Sequence, residues 1–134
     1  MDFDKLFSDV LNIDPGIRYA AVQNNAGKII TGGFRENINP ILNDEDLQMM
    51  HYYASQRWQT RKNIEHKLGS AKYAFAEYDE IKRISFPIDE KHLLMVTTQL
   101  NSDHTNVITK VLELINDSKQ YSKSSIWQLA SQLR

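Results

Sequence analysis

The sequence predicts one α+β domain, a five-stranded antiparallel sheet with helices on both faces and the element order αββαβββα. Three observations predict this class. The chain has 134 residues, enough for one hydrophobic core and too few for two ordinary domains. Stretches with the apolar period of a helix alternate with short β-branched and aromatic runs. Residues 93–98 (LLMVTT) are apolar or nearly so on both alternating faces, which is typical of a central strand covered on both sides.

A first helix and a β-hairpin are predicted over residues 3–33. Pro15 and Gly16 stop the helix. The apolar runs IRYAAVQ and KIITGGF flank NNAG, whose Asn and Gly residues tolerate positive φ, and this pattern indicates a hairpin. The glycines at 32–33 are expected to end or bulge the second strand. The helix has its apolar side chains at helical spacing, namely Phe3, Leu6, Phe7, Val10 and Leu11.

A long second helix is predicted from its N-cap at Asn43 to its stop signal at Gly69. The side expected to face the sheet consists of Leu47, Met50, Ala54, Trp58, Arg61 and Leu68. A second, mixed stripe adjoins it and makes the apolar arc wider than one packing face requires. With one arginine added, this stripe is the predicted partner or dimer surface: Met49, Tyr53, Arg57, Thr60 and Ile64.

The polar and aromatic residues of this helix have two interpretations each. Its basic residues could contact an acidic partner or a phosphate backbone, or they could be solvated charges that complement the helix C-terminus. The aromatic residues in MMHYYASQRWQ are typical of interface centres and equally of side chains packed on a sheet. The basic residues are Arg57, Arg61, Lys62, His66 and Lys67.

Three strands and a closing helix complete the domain, which is predicted to span residues 1–118. The runs AKYAFAEY, RISFPI and HLLMVTTQ, separated by charged turns, indicate an antiparallel meander. Pro87 lacks an amide donor, so its strand is expected to be an edge or to be bulged there. Asp103 or Thr105 is expected to cap the closing helix. The apolar side of that helix is Val107, Ile108, Val111, Leu112 and Ile115.

Residues 119–134 are predicted to form a short amphipathic C-terminal tail. A Ser-rich hinge precedes apolar residues at helical spacing, and this apolar side must find a surface on its own domain or on a partner. The residues predicted to dock are Ile126, Trp127, Leu129 and Leu133.

Composition gives no support to several classes of function. The chain has 16 Lys plus Arg and 17 Asp plus Glu, so no basic field favours nucleic acid. It has no cysteine, which removes thiol chemistry and disulfides. No apolar run approaches the roughly 20 residues that cross a bilayer. We therefore expect a cytoplasmic protein with no membrane span.

No motif predicts a catalytic, metal or cofactor site. The pair Gly27-Lys28 is not a phosphate loop, because Val22 stands where that motif needs a glycine and Ile29 stands where it needs a hydroxyl. No two of the four histidines have the i, i+3 or i, i+4 spacing that would place two ligands together on a helix, whereas a zinc site needs three or four convergent ligands. We expect no catalytic residue, no metal and no cofactor.

Residues 22–31, VQNNAGKIIT, resemble the first hairpin of the roadblock/dynein light chain family, with Ala26 here separating Asn25 from Gly27. The order of elements resembles the profilin-like fold of that family over residues 3 to 116. This resemblance implies a non-catalytic dimeric module that scaffolds or regulates small GTPases and motor complexes.

Four segments also resemble a family of uncharacterised single-domain proteins of ammonia-oxidising archaea (Thaumarchaeota). They are DPGIRYA, AGKIITGGFRE, MMHYYASQRWQTRK and ISFPI, and they cover most of residues 14–98. This second resemblance implies no activity.

Two functions from different classes are therefore open. The first is an interaction module: a homodimer formed through the long helix and an exposed strand edge, which presents a surface to a small GTPase or another protein. The alternative is a PAS-like sensor, which would need an apolar small-molecule pocket between a helix and the sheet.

Overall fold

The computed structural model describes the backbone of residues 1–132 and the side chains of residues 1–119. Its elements are α1 (Phe3–Leu11), β1 (Ile17–Asn24), β2 (Ile29–Phe34), α2 (Asp44–Lys62), α3 (Glu65–Leu68), β3 (Ala74–Glu77), β4 (Lys82–Asp89), β5 (His92–Thr98) and α4 (His104–Gln132). The strands form one antiparallel sheet in the order β2-β1-β5-β4-β3. Because α1 and α4 pack on one face and α2 on the other, the predicted α+β class and its three layers are confirmed.

The turn between β1 and β2 is closed by Asn24. Its backbone N–H donates to the carbonyl oxygen of Lys28 over 2.9 Å. Its side-chain oxygen accepts from the backbone N–H groups of Ala26 and Lys28, at 2.9 and 3.0 Å. Gly27 has a φ of 84°, in the left-handed region that favours glycine. The hairpin predicted from NNAG is confirmed.

β2 neither ends nor bulges at its two glycines, so that prediction is wrong; the register shift with β1 lies between Ile29 and Thr31. Gly32 and Gly33 both pair with β1, and the strand continues to Phe34. A Cβ atom on Gly32 would lie 2.4 Å from the carbonyl oxygen of Ala20, so the absent side chain allows the two strands to stay paired.

Arg35, directly after β2, ties the start of the chain to the sheet. Its guanidinium donates to the carbonyl oxygens of Leu11, Asp14 and Ile17, the last over 2.8 Å. These carbonyls belong to the last residue of α1, the connection after it and the first residue of β1, so one side chain fixes the direction in which the chain enters the sheet.

β5 is the central strand, as predicted. Leu94 and Val96 are buried toward α1 and α4, and Met95 is buried toward α2. β4 pairs with β5 along its length but with β3 only from Lys82 to Ser85. Pro87 therefore lies where β3 no longer pairs, and the register with β5 shifts directly after it. The prediction of an edge or a bulge at Pro87 is confirmed.

The larger core lies between the sheet and the helices α1 and α4. Full burial of one aliphatic or aromatic side chain contributes about 1.5–3 kcal/mol, so this layer is the main hydrophobic contribution to stability. The apolar residues that the sequence predicts for the first and last helices form the helical side of this core. The buried residues are Leu6, Val10, Ile17, Ala20, Val22, Ile84, Phe86, Ile88, Leu94, Val96, Val107, Val111 and Ile115.

α2 covers the opposite face of the sheet. The side-chain oxygen of Asn43 accepts from the backbone N–H of Asp46 over 2.8 Å, which confirms the predicted cap. Met50, Ala54 and Trp58 are buried, as the sequence predicts for the sheet-facing side.

The long helix ends earlier than predicted. It stops at Lys62 rather than running to Gly69, and the single turn α3 occupies part of the remainder. Leu68 is 77% exposed, so its predicted contact with the sheet is wrong. The break after Lys62 gives Leu68 a direction that the continuous helical period does not predict. Gly69, with a φ of 81°, ends α3.

α4 begins after Asp103, whose side chain accepts from the backbone N–H of Asn106 over 3.1 Å. The helix continues without a break to Gln132, so the expected Ser-rich hinge is wrong. The side chains of the four residues predicted to dock lie outside the described residues, and their docking stays a prediction. They are Ile126, Trp127, Leu129 and Leu133.

Candidate interaction surface

A buried polar network holds α2 on β1. The hydroxyl of Tyr19 lies 2.8 Å from Nε2 of His51, and the other ring nitrogen of His51 contacts the amide oxygen of Gln23. The amide nitrogen of Gln23 donates to the carbonyl oxygen of His51 and to the hydroxyl of Ser55, each over 2.7 Å. Ser55 in turn donates to the carbonyl oxygen of Asn24 over 3.0 Å. This chain of bonds fixes the rotation of α2 about its axis.

The network requires one protonation state of His51. Because the amide oxygen of Gln23 can only accept, Nδ1 carries the hydrogen and Nε2 accepts from Tyr19. Burial lowers the pKa of His51 to about 4, and the charge of Arg83 acts in the same direction. Burial also raises the pKa of Tyr19 to about 12. Both groups are neutral at pH 7, and neither has a pKa near 7 as acid–base catalysis needs. The role of the network is therefore structural.

The outward flank of α2 consists of the predicted surface residues, and all of them are exposed. Met49 is 47% exposed, Tyr53 is 48% exposed, and Ile64, just after the helix, is 50% exposed. Large apolar side chains that recur along one helix flank form a patch, in contrast to a single exposed apolar residue. The flank is Met49, Tyr53, Arg57, Thr60 and Ile64.

Strand β3 is the sheet edge beside the Arg57 part of this flank, whereas Met49 at the other end lies beside Ile29 of β2. It has four residues and pairs on one side with β4. Its outer backbone groups therefore have no strand partner in the sheet order of the described chain. An open edge of this kind is a template for a strand from a second chain. Phe75, in the middle of β3, is 38% exposed.

A groove of about 310 Å³ lies between α2 and the strands β3 and β4. Arg57 and Arg61 from α2 and Arg83 from β4 line it. The guanidinium of Arg61 lies 5.4 Å from the ring centre of Trp58, and that of Arg83 lies 5.8 Å from the ring centre of Tyr78. The remaining lining residues include small ones that leave the space open: Ala54, Ala74, Ala76 and Ser85. We call this the arginine groove.

The arginine groove is strongly positive. Within the described residues, its three guanidinium groups form no ion pair with a carboxylate and donate no hydrogen bond. Burial lowers the pKa of Arg83, while Tyr78 acts in the opposite direction and the charge of Arg57 lowers this pKa further. Arginine remains charged at neutral pH. The groove can therefore bind carboxylates or other anions.

The sequence identified only part of this site. It singled out Arg57 and Arg61 but missed Arg83, because a lone arginine in a strand carries no signal by itself. The alternation in β4 could have revealed it, since Ile84 and Phe86 are buried toward α4 and Arg83 points to the opposite face, toward α2. Another predicted basic residue, Lys62, lies elsewhere and donates to the carbonyl oxygen of Glu90 over 3.1 Å.

Two further depressions do not bring together side chains of one charge or one chemical kind that could bind a ligand. An apolar cavity between α2 and the sheet, beside Tyr19, Leu47 and Met50, has a volume of about 30 Å³, close to that of one water molecule. A wider groove of about 690 Å³ beside the end of β4 mixes lysines with acidic residues and includes Lys72 and Glu113.

Two other kinds of site are absent from the described part of the chain. It contains no group of three His, Asp or Glu side chains that could hold a metal ion. None of its helices is both long and apolar enough to cross a membrane.

Solved structures with a similar fold include a roadblock/LC7 domain and MglB proteins. A roadblock/LC7 domain from Streptomyces avermitilis matches 92% of this chain and 99% of its own, with a TM-score of 0.69 and 15% identity. MglB from Myxococcus xanthus covers 92% of this chain and 99% of its own, with a TM-score of 0.68 and 12% identity. The gliding protein MglB from Thermus thermophilus covers 86% of this chain and 88% of its own, with a TM-score of 0.65 and 13% identity. These similarities establish a roadblock/LC7 fold.

No curated protein matches the sequence. The sequence profile of a family of unknown function, DUF6659, matches residues 4–122. This match covers most of the chain and includes α2, the arginine groove and β3. The chain is therefore a member of the DUF6659 family, with a roadblock/LC7 fold.

Proposed function

We propose that this protein is a non-catalytic interaction module that forms a homodimer through the outward flank of α2 and the edge of β3. The observation that supports the proposal is the position of these two features. The Arg57 part of the exposed flank and the open edge of β3 lie on the two sides of the arginine groove.

A second copy can satisfy both features at once. A twofold axis beside β3 would pair two β3 edges antiparallel and extend the sheet across the dimer. The same axis would bring two α2 helices side by side in opposite directions. Tyr53, about halfway along α2, would then lie near the axis and contact the partner's flank.

The dimer is proposed to serve a protein partner. The roadblock resemblance implies a scaffold or regulator of small GTPases, and the roadblock/LC7 fold of the chain supports this class of partner. We further propose a cytoplasmic location in an archaeal cell, following the archaeal resemblance. The polar network around His51 contributes no catalytic group to this role, since it is buried and fully hydrogen-bonded.

Light scattering on two tyrosine variants tests the proposed interface. Tyr53→Glu places a charge on the flank and is expected to give monomers. Tyr52→Glu is the matched control, because Tyr52 is 46% exposed, nearly as much as Tyr53, but lies about 100° away around the helix. Equal effects of the two substitutions on molar mass would count against the flank.

The sensor alternative would need an apolar ligand pocket under α2, and the cavity there is too small for one. Ligand pockets typically enclose about 300–1,000 Å³, whereas the apolar cavity between α2 and the sheet has about 30 Å³. Side chains of α2 and the sheet, including Met50, Trp58 and Met95, occupy the space that a PAS-like ligand would need.

A further inference from the structure

The arginine groove holds positive charge that no carboxylate among residues 1–119 neutralises. The helix dipole explains basic residues in the last turn of α2, such as Arg61. It does not explain Arg57, which lies more than one turn before the helix end, or Arg83, which lies on a strand. Placing three guanidinium groups around one groove costs free energy through mutual repulsion, unless an anion completes the site.

The complementary charge lies at the other end of the same helix. Asp44, Glu45 and Asp46 form the acidic first turn of α2, and all three are exposed. Within the described residues, their carboxylates form no ion pair. At 3.6 residues per turn, Asp46 lies about 20° and Arg57 about 40° from Tyr53 around the helix. Asp46 and Arg57 therefore share the outward flank with Tyr53.

Helix geometry sets the register in which the two ends would meet. With a rise of about 1.5 Å per residue, Asp46 lies about 10 Å before Tyr53, Arg57 about 6 Å after it and Arg61 about 12 Å after it. In an antiparallel pair centred on Tyr53, Asp46 of one copy is level with the space between Arg57 and Arg61 of the other. The apolar contact of Tyr53 then lies between two identical charged contacts.

We propose that the arginine groove is completed by the acidic first turn of α2 from a second copy of this chain, with Asp46 facing Arg57 and Arg61. The inference rests on the proposed homodimer and adds its register and its charged contacts. Charge complementarity favours this occupant over a free anion. One helix carries the acidic turn, the apolar flank and the arginines in the order that an antiparallel twofold pair requires.

A charge-swap experiment tests the contact. Asp46→Arg gives a chain with arginine at both positions 46 and 57, and Arg57→Glu gives a chain with acidic residues at both. Each variant alone is expected to dimerise at least about tenfold more weakly than the unmodified chain, because like charges face each other twice. An equimolar mixture is expected to form a heterodimer in which opposite charges face each other again, within about threefold of the original affinity.

The double variant and two matched controls keep the test specific. Asp46→Arg/Arg57→Glu restores opposite charges within one sequence and is expected to dimerise alone. Asp44→Arg makes the same charge change in the same helical turn, about 180° from Tyr53, and is expected to leave the dimer affinity within about twofold. Lys110→Glu is the corresponding control for the arginine change, on an exposed position of α4.

Analytical ultracentrifugation of all variants separates the two ways of failing. If the unmodified chain is a monomer, the proposed homodimer is wrong, and this contact is wrong with it. If the unmodified chain dimerises but the single reversals do not weaken it, or the mixture does not recover, the charged contact alone is overturned. Binding of inorganic phosphate to the unmodified dimer, abolished by Arg57→Glu without loss of the dimer, would also overturn it.

Discussion

The hydroxyl of Tyr19 on β1 donates to Nε2 of His51 on α2 over 2.8 Å, and both side chains are buried. This bond exists only while His51 is neutral. A proton on Nε2 would place two donors against each other and bury a charge beside Arg83. The contact therefore couples the seating of α2, which carries the candidate surface, to the protonation of one buried histidine.

The free energy of unfolding is expected to decrease as the pH falls below 6.5, the ordinary pKa of histidine. The folded-state pKa of His51 is about 4, whereas its ordinary value is 6.5, so the unfolded chain binds the proton more readily. The contribution is present above pH 6.5 and is lost between pH 6.5 and 4, by up to about 3 kcal/mol. Urea unfolding at about pH 7 and about pH 4.5 should show this loss, and His51→Gln should reduce the difference between the two pH values.

A carboxylate whose contribution to stability is lost over the same pH range as that of His51 would complicate this measurement. Partial burial acts to raise the pKa of Asp89, but hydrogen bonds from the Lys91 backbone and from His92 outweigh it and lower this pKa below its ordinary value of 3.8. The contribution of Asp89 is present above that value and is lost below it, under the histidine window. An unchanged pH dependence in His51→Gln would show that His51 does not control the transition.

Gly27→Ala is expected to destabilise the protein by about 2–4 kcal/mol. The φ of 84° strains a side chain, and a Cβ atom would lie 2.7 Å from the backbone of Tyr52 on α2. Gly33→Ala is the matched control, because a Cβ there has no neighbour within 4 Å, and its expected effect is within about 0.5 kcal/mol. Equal midpoints in denaturant for the two variants would contradict the close contact between hairpin and α2.

A panel of apolar metabolites is expected to leave the melting temperature of the protein unchanged. A ligand that binds the folded state stabilises it by mass action, but the apolar cavity under α2 is about 30 Å³. Thermal shift assays at ligand concentrations of about 1 mM provide the check. A reproducible rise caused by one apolar compound, abolished by Leu47→Phe in the lining of that cavity, would favour the sensor instead.

Partner recognition is expected to need the dimer. If two copies build the surface for a small GTPase, the Tyr53→Glu variant should lose binding to that GTPase, while Tyr52→Glu should retain it. Biolayer interferometry with small GTPases loaded with GDP or with a non-hydrolysable GTP analogue measures this difference. Equal binding by both variants would assign recognition to a surface within one copy.

The sequence predicted those parts of the fold that have local causes. The residues NNAG favour a turn by themselves. Pro87 has no backbone N–H to donate to a neighbouring strand, which predicts an edge or a bulge. LLMVTT has two apolar faces because it lies at the centre of the sheet. The end of α2 at Lys62 was missed, since the residues up to Gly69 keep a helical period. The chain leaves that helix in order to reach β3, and this is a tertiary requirement.

The candidate site shows the same division. The outward flank was predicted because Tyr53 and its neighbours follow the helix period. The arginine groove was not predicted, because Arg83 joins Arg57 only when β4 lies beside α2 in the folded sheet. The third arginine therefore depends on the pairing of β1, which carries α2, with β5 of the predicted meander, and no local pattern encodes that pairing.

Hydrogen–deuterium exchange at protein concentrations above and below the dimer dissociation constant is the most direct test of the α2 and β3 interface. We predict that the amides of β3 (Ala74–Glu77) become more protected as the concentration rises, while those of the opposite edge, β2 (Ile29–Phe34), do not change. Concentration-independent exchange in β3, or protection that appears at β2 instead, would contradict the proposed interface.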